Sequence, residues 1–174
     1  MWRLIYYNKI YTSRFSDTTW DENIQYRSRH SDIGCIYGCP LRLHSRIPLN
    51  EPIFVIEMNN TKNKIEGIGL IRNQIILDSY HSVYKCGNYN RYIYKGQYRI
   101  DREVIARYNE NLLNILDHIL FKEKTHMKRG AGITSIPKKI LKHDLCKSHD
   151  LQKEIEMLFK NYFPIKSGED NIET

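Results

Sequence analysis

Apolar positions change their period along this chain, and the change divides it into two parts. Residues 53–58 (Ile-Phe-Val-Ile-Glu-Met) and 64–72 (Lys-Ile-Glu-Gly-Ile-Gly-Leu-Ile-Arg) are rich in β-branched side chains and flank a polar connection, Asn59-Asn60-Thr61-Lys62-Asn63, which is the pattern of a β-hairpin. Gly67 and Gly69 interrupt the second run, and glycine inside a strand marks a bulge, a sharp barrel bend or a ligand backbone passing close by. Further strands are expected at residues 2–7, 74–77 and 91–100, the last with Tyr92, Tyr94 and Tyr98 around a Lys95-Gly96 turn, for five or six strands in all. Ser16 or Asp17 can cap a short helix that carries Trp20, Ile24 and Arg27 on one side. Residues 31–48 contain Gly34, Gly38, Pro40 and Pro48 and read as a winding loop.

Beyond Asp101 the spacing becomes helical. Val104, Ile105, Tyr108, Leu112, Ile115, Leu116 and Ile119 form one stripe of a helix over about residues 102–121, whose task is to pack on the sheet. A second amphipathic helix, over about residues 150–162, turns Leu151, Ile155, Leu158 and Phe159 inward. Between the two lies a glycine-containing loop, followed by Ile133-Thr134-Ser135-Ile136-Pro137, which reads as a helix start with Ser135 as cap and Pro137 in the first turn. The class is α+β: one domain over residues 1–163, with a β part to residue 100, a helical part from 101, and a fraying tail over 164–174.

Composition narrows the context. A chain of 174 residues, 41% hydrophobic, can bury a core without metal or disulfide staples, so one domain without cofactor is expected. Four cysteines are too few for a disulfide scaffold, and no leader pattern opens the chain. The longest apolar runs fall far short of the roughly 20 residues that span a bilayer. The expectation is an intracellular, cytoplasmic protein with no membrane partner. Isoleucine, lysine, asparagine and tyrosine dominate while alanine occurs only at Ala106 and Ala131, an AT-rich codon usage that suits a large DNA virus of protists.

Charge gives the first functional lead. Residues 122–147 hold eight lysines and arginines against Glu123 and Asp144, which accounts for six of the seven net positive charges. Such a segment attracts polyanions over a Debye length of about 8 Å, nucleic acid being the commonest. Within it, Lys128-Arg129-Gly130-Ala131-Gly132, with Lys124 and His126 just before, has the composition of a loop that lets backbone amides approach a phosphate ahead of a helix N-terminus. The Gly-Lys-Ser/Thr ending of a Walker motif is absent, so nucleotide hydrolysis is not implied. Arg91-Tyr92-Ile93-Tyr94-Lys95 alternates cations with aromatics, the means by which unpaired bases are stacked while phosphates are neutralised. Trp20 stands in a polar segment, an unusual place for a tryptophan that only packs.

Two clusters carry zinc-type ligands: Cys35 and Cys39 with His30 and His44, and His143, Cys146 and His149. Neither has the close Cys-x2-Cys spacing of a knuckle, so no metal is expected. No nucleophile elbow, two-histidine phosphoesterase pattern or paired carboxylates stand out, and no catalytic residue is expected.

The aromatic first segment, the polar segment with Trp20 and Asn23, and the run Ile65-Glu-Gly-Ile-Gly-Leu-Ile71 together resemble the PUA-like superfamily, more nearly its EVE, YTH and ASCH members. The likeness covers about residues 1–100. It implies a small β-barrel of five or six strands and the binding of RNA or DNA, with a modified base held in an aromatic pocket. Trp20 would be a wall of that pocket and Asn23 its polar reader. The expected protein is therefore a PUA-like barrel with a long packing helix and a basic helical extension, a non-enzymatic module for single-stranded or modified nucleic acid, RNA before DNA. The alternative is a virion or assembly component that meets an acidic protein partner through the basic segment.

Overall fold

The computed structural model describes residues 9–164; the strand expected over residues 2–7 and the tail over 165–174 lie outside them. Strand β1 (Ile10–Phe15) leads into helix α1 (Asp17–Ser28), strand β2 (Cys35–Cys39), and the hairpin of β3 (Pro52–Asn59) and β4 (Lys64–Arg72). Strands β5 (Tyr92–Gly96) and β6 (Tyr98–Asp101), helix α2 (Arg102–Phe121), the short β7 (Thr134–Ser135), one turn of helix α3 (Lys138–Leu141) and helix α4 (Leu151–Tyr162) follow.

β3 is the axis of the fold. Phe54, Ile56 and Met58 face a cluster built with α2, α3 and α4, whereas Ile53 and Val55 face a second one built with α1, β2 and β5. Burial on both faces explains why this segment reads as a continuous apolar run rather than an alternating one. β3 pairs antiparallel with β4 and parallel with β1, and the sheet order is β6-β4-β3-β1-β7. β2 and β5 form a separate antiparallel pair.

Among the described residues no closed barrel forms. Among the described residues the two edge strands, β6 and β7, do not pair, and the central sheet is covered on both faces, by helices on one and by α1 with the β2–β5 pair on the other. A closed barrel keeps one face of every strand outside; this arrangement makes three layers instead. β5 and β6 are adjacent in sequence yet enter different sheets, a partition that strand composition does not encode.

Several elements match the hydrophobic pattern and others depart from it. α1 has Ser16 as its cap, accepting from the Thr19 amide, but it buries Trp20, Asn23 and Tyr26 and leaves Ile24 exposed. The supposed loop 31–48 contains β2, in which Gly38 is required because a Cβ there would lie 2.1 Å from the Tyr89 carbonyl oxygen. Residues 74–77 form no strand; Ile76 donates a backbone bond to Ile93 without extending a ladder. α2 covers the expected range but breaks at Asn109, whose side chain accepts from the Leu112 amide and donates to Glu154 of α4. Asn109 thus caps the second half of α2, and Tyr108 is left exposed against Tyr162. No helix among the described residues is long and apolar enough to cross a membrane.

The cysteines stay apart as free thiols. Cys35, Cys39 and Cys146 are buried and Cys86 is exposed. Burial pushes the Cys35 and Cys39 thiols up to about 12 from an ordinary 9.0, with Glu57 adding to the effect at Cys35. An aromatic disulfide reagent at pH 8 should therefore titrate one thiol quickly in the native protein and four in denaturant. Since the native state holds these two protons over the window from 9 to 12 in which the unfolded chain releases them, stability should be complete below pH 9 and fall as pH rises toward 12. Alkaline unfolding monitored with and without Cys35→Ala checks the sign.

Candidate nucleic-acid interface

The basic loop is organised from inside, by Arg14. This side chain on β1 donates from Nε to the Gly130 carbonyl at 3.2 Å and from Nη2 to the Gly132 carbonyl at 2.7 Å. Its Nη1 reaches the Met127 carbonyl and the hydroxyls of Thr12 and Thr134, at 3.0 to 3.4 Å. Gly130 and Gly132 have φ of +121° and +71°, a backbone region that favours glycine, and this conformation accompanies carbonyls presented to the guanidinium. From the other side Asn60, in the β3–β4 turn, donates to the Lys128 carbonyl at 2.9 Å. The loop is thereby pinned to the end of the sheet.

Two cavities flank this loop and share Ala131 and Gly132. One, of about 290 Å³, is walled by Arg14, Ser16, Asn60, Tyr84, Tyr89 and Lys128. The other, of about 400 Å³, is walled by Tyr11, Arg42, His44, Arg46 and the β7 residues Thr134 and Ser135. Among the described residues no aspartate or glutamate lines either one. Tyr89 is 42% exposed and meets Tyr84 edge to face at 6.1 Å. Beside the second cavity, Arg42 and Arg91 place their guanidinium carbons 5.0 and 5.5 Å from the Tyr92 ring, so two cations approach that aromatic.

Of the residues singled out from the sequence, Lys128 and Gly130 line the first cavity, and Arg91 and Tyr92 lie beside the second through Arg42. Arg129 and Lys124 are exposed on the loop; His126 is half-buried, its Nδ1 accepting from the Lys128 amide. Three others are core residues. Tyr94 is buried and its hydroxyl accepts from the Leu43 amide. Trp20 is 6% exposed, against Phe15 at 5.1 Å and with Arg27 and Arg99 at 5.4 and 5.3 Å from its ring. Asn23 is fully occupied: it donates to the Ile36 carbonyl and the Tyr84 hydroxyl, and accepts from Arg27. Neither Trp20 nor Asn23 lines either cavity flanking the loop.

The expected helix N-terminus behind the loop is also replaced. Thr134 and Ser135 pair with β1, and α3 begins only at Lys138 with four residues. Positive charge at this site comes from side chains rather than from a helix dipole. Arg14 and Tyr89 gave no signal in the sequence; Arg42, His44 and Arg46 did, as three basic or imidazole side chains within Leu41-Arg42-Leu43-His44-Ser45-Arg46. Among the described residues the two zinc-type clusters of the sequence do not come together as ligand sets. His149 is held by Glu154 and Asn111, Cys146 is buried, and His30 and His44 each turn Nδ1 to a nearby backbone group. The chain matches no protein-family model, no curated protein and no solved structure.

Proposed function

We propose that this protein binds single-stranded nucleic acid along the groove formed by the two cavities around Ala131 and Gly132. The observation that carries the reading is the wall itself: Arg14, Lys128, Arg42 and Arg46 stand around it, and no carboxylate among the described residues lines it. Phosphates would lie on the cations, and Tyr89 and the arginine-flanked Tyr92 offer faces and edges to bases. Binding through phosphates releases counterions, so affinity should fall linearly in log salt.

Fluorescence anisotropy with labelled single-stranded RNA and DNA of one mixed sequence tests this. Lys128→Ala combined with Arg42→Ala should weaken binding of both polymers and lower the salt slope by about 1.4, at about 0.7 per phosphate contact on a single strand. Melting temperature should barely change, because both side chains reach solvent. Unaltered binding and slope in the double variant would overturn the proposal. So would a parent protein that ignores both polymers and binds an acidic polypeptide instead.

A further inference from the structure

A different cluster, which shares only His143 with the two zinc-type sets seen in the sequence, brings metal-ligating atoms together. His118 lies in the last turn of α2, Glu123 two residues past its end, and His143 directly before the 3-10 turn Asp144–Cys146. The Nε2 atoms of His118 and His143 both face Oε1 of Glu123, at 2.6 and 3.1 Å, and all three atoms lie within 4.8 Å of one another. A tetrahedral ion with ligands at about 2.0–2.2 Å holds neighbouring donor atoms about 3.3 Å apart, so the observed spacing needs shifts of well under a side-chain length. The three side chains are 28% to 37% exposed, which gives an ion a way in. It is the one such group of three among the described residues.

We propose that His118, Glu123 and His143 bind a borderline divalent cation, zinc foremost. Two imidazoles and one carboxylate are the donor set that holds zinc with a fourth position left to water, whereas magnesium and calcium prefer all-oxygen shells. The site joins the end of the main helix to the segment that carries α3. Binding requires a tautomer change at His143. His143 Nδ1 accepts the Leu145 amide at 3.1 Å, so in the ion-free state its proton sits on Nε2 and is donated to Glu123. The ion takes the Nε2 lone pair, the proton moves through solvent to Nδ1, and the Leu145 amide loses its acceptor.

The full chain is titrated with zinc alone in competition with a chromogenic chelator, and amide exchange is followed with and without the ion. One zinc per chain is expected, with affinity reduced at least about tenfold in His118→Ala and in His143→Ala and retained in Cys146→Ser and His149→Gln. Zinc should also speed exchange at Leu145 in the parent and leave it unchanged in His118→Ala. Melting in the presence of chelator shows whether each variant is folded, and Glu123→Gln replaces any that is not. No stoichiometric zinc, zinc that survives loss of both histidines, or zinc lost with Cys146 or His149 would overturn the assignment.

Discussion

Replacing Glu57 with glutamine is expected to destabilise the protein by about 3 to 5 kcal/mol, a large part of the roughly 5 to 15 kcal/mol that holds a domain together. Glu57 is completely buried in the middle of β3. Its carboxylate accepts from the Tyr37 hydroxyl at 2.8 Å and from Arg99 through Nε at 3.0 Å and Nη2 at 2.7 Å. Arg99 also pairs with Asp101 and lies over Trp20. Burial works against the charge on Arg99, but the Glu57 carboxylate outweighs it and its pKa is raised above the ordinary arginine value. Neutralising Glu57 therefore leaves a charged guanidinium inside the protein with its main partner gone. Urea unfolding measures the loss, and the pairing has a second signature. Glu57→Leu with Arg99→Met should be much less destabilised than the sum of the two single changes, since the double variant buries no unpaired charge. Additive single effects would show that the pair is not coupled.

The second large effect is expected at Gly69, where alanine should cost about 3 kcal/mol or more, at the upper end of what overpacking does. A Cβ at this position would stand 2.1 Å from the Tyr37 hydroxyl and 2.7 Å from Cys35 Sγ. Tyr37 and Cys35 are themselves fully buried, so neither can withdraw, and displacing the hydroxyl also removes a donor from Glu57. Gly67→Ala should be severe for a related reason, with Arg99 Nη2 at 2.7 Å and the Ile100 carbonyl oxygen at 2.6 Å. Gly87→Ala meets nothing within 4 Å and should change the melting temperature little. Equal melting of Gly69→Ala and Gly87→Ala would refute the packing argument.

The two glycines also show how much of their role is legible locally. The run Gly67-Ile68-Gly69 was readable as a bulge, a bend or a ligand approach, and a register shift does occur between Glu57 and Met58 opposite it. The main reason for both glycines is different: Arg99 and the Tyr37 hydroxyl fill the space where side chains would be, and those partners come from β6 and β2. Trp20 was a similar case. Its polar sequence neighbours suggested the wall of a base pocket, whereas the ring is buried, with Arg27 and Arg99 over it and Phe15 at its edge. In the candidate interface, the loop 128–132 was legible because glycine and cationic residues are marked locally, whereas Arg14 was not, since a single arginine in an alternating strand has no distinctive pattern.

Local chemistry was enough to settle which segments are helical or extended where period and capping agree. Ser16 caps α1, residues 102–121 are helical, and β3 and β4 join through an asparagine-rich turn, all from interactions spanning a few residues. The concentration of positive charge in residues 122–147 was likewise a property of the chain alone. What required the tertiary structure was every pairing across distance: β1 parallel to β3, β5 and β6 divided between two sheets, Arg14 inside the glycine loop, and His118 brought to Glu123 and His143. Strand propensity describes a backbone that fits a pleated surface but not which edge it joins. That choice is made by the packing of two apolar faces around β3, and it is this packing that turned an expected barrel into three layers and placed the candidate sites at their edges.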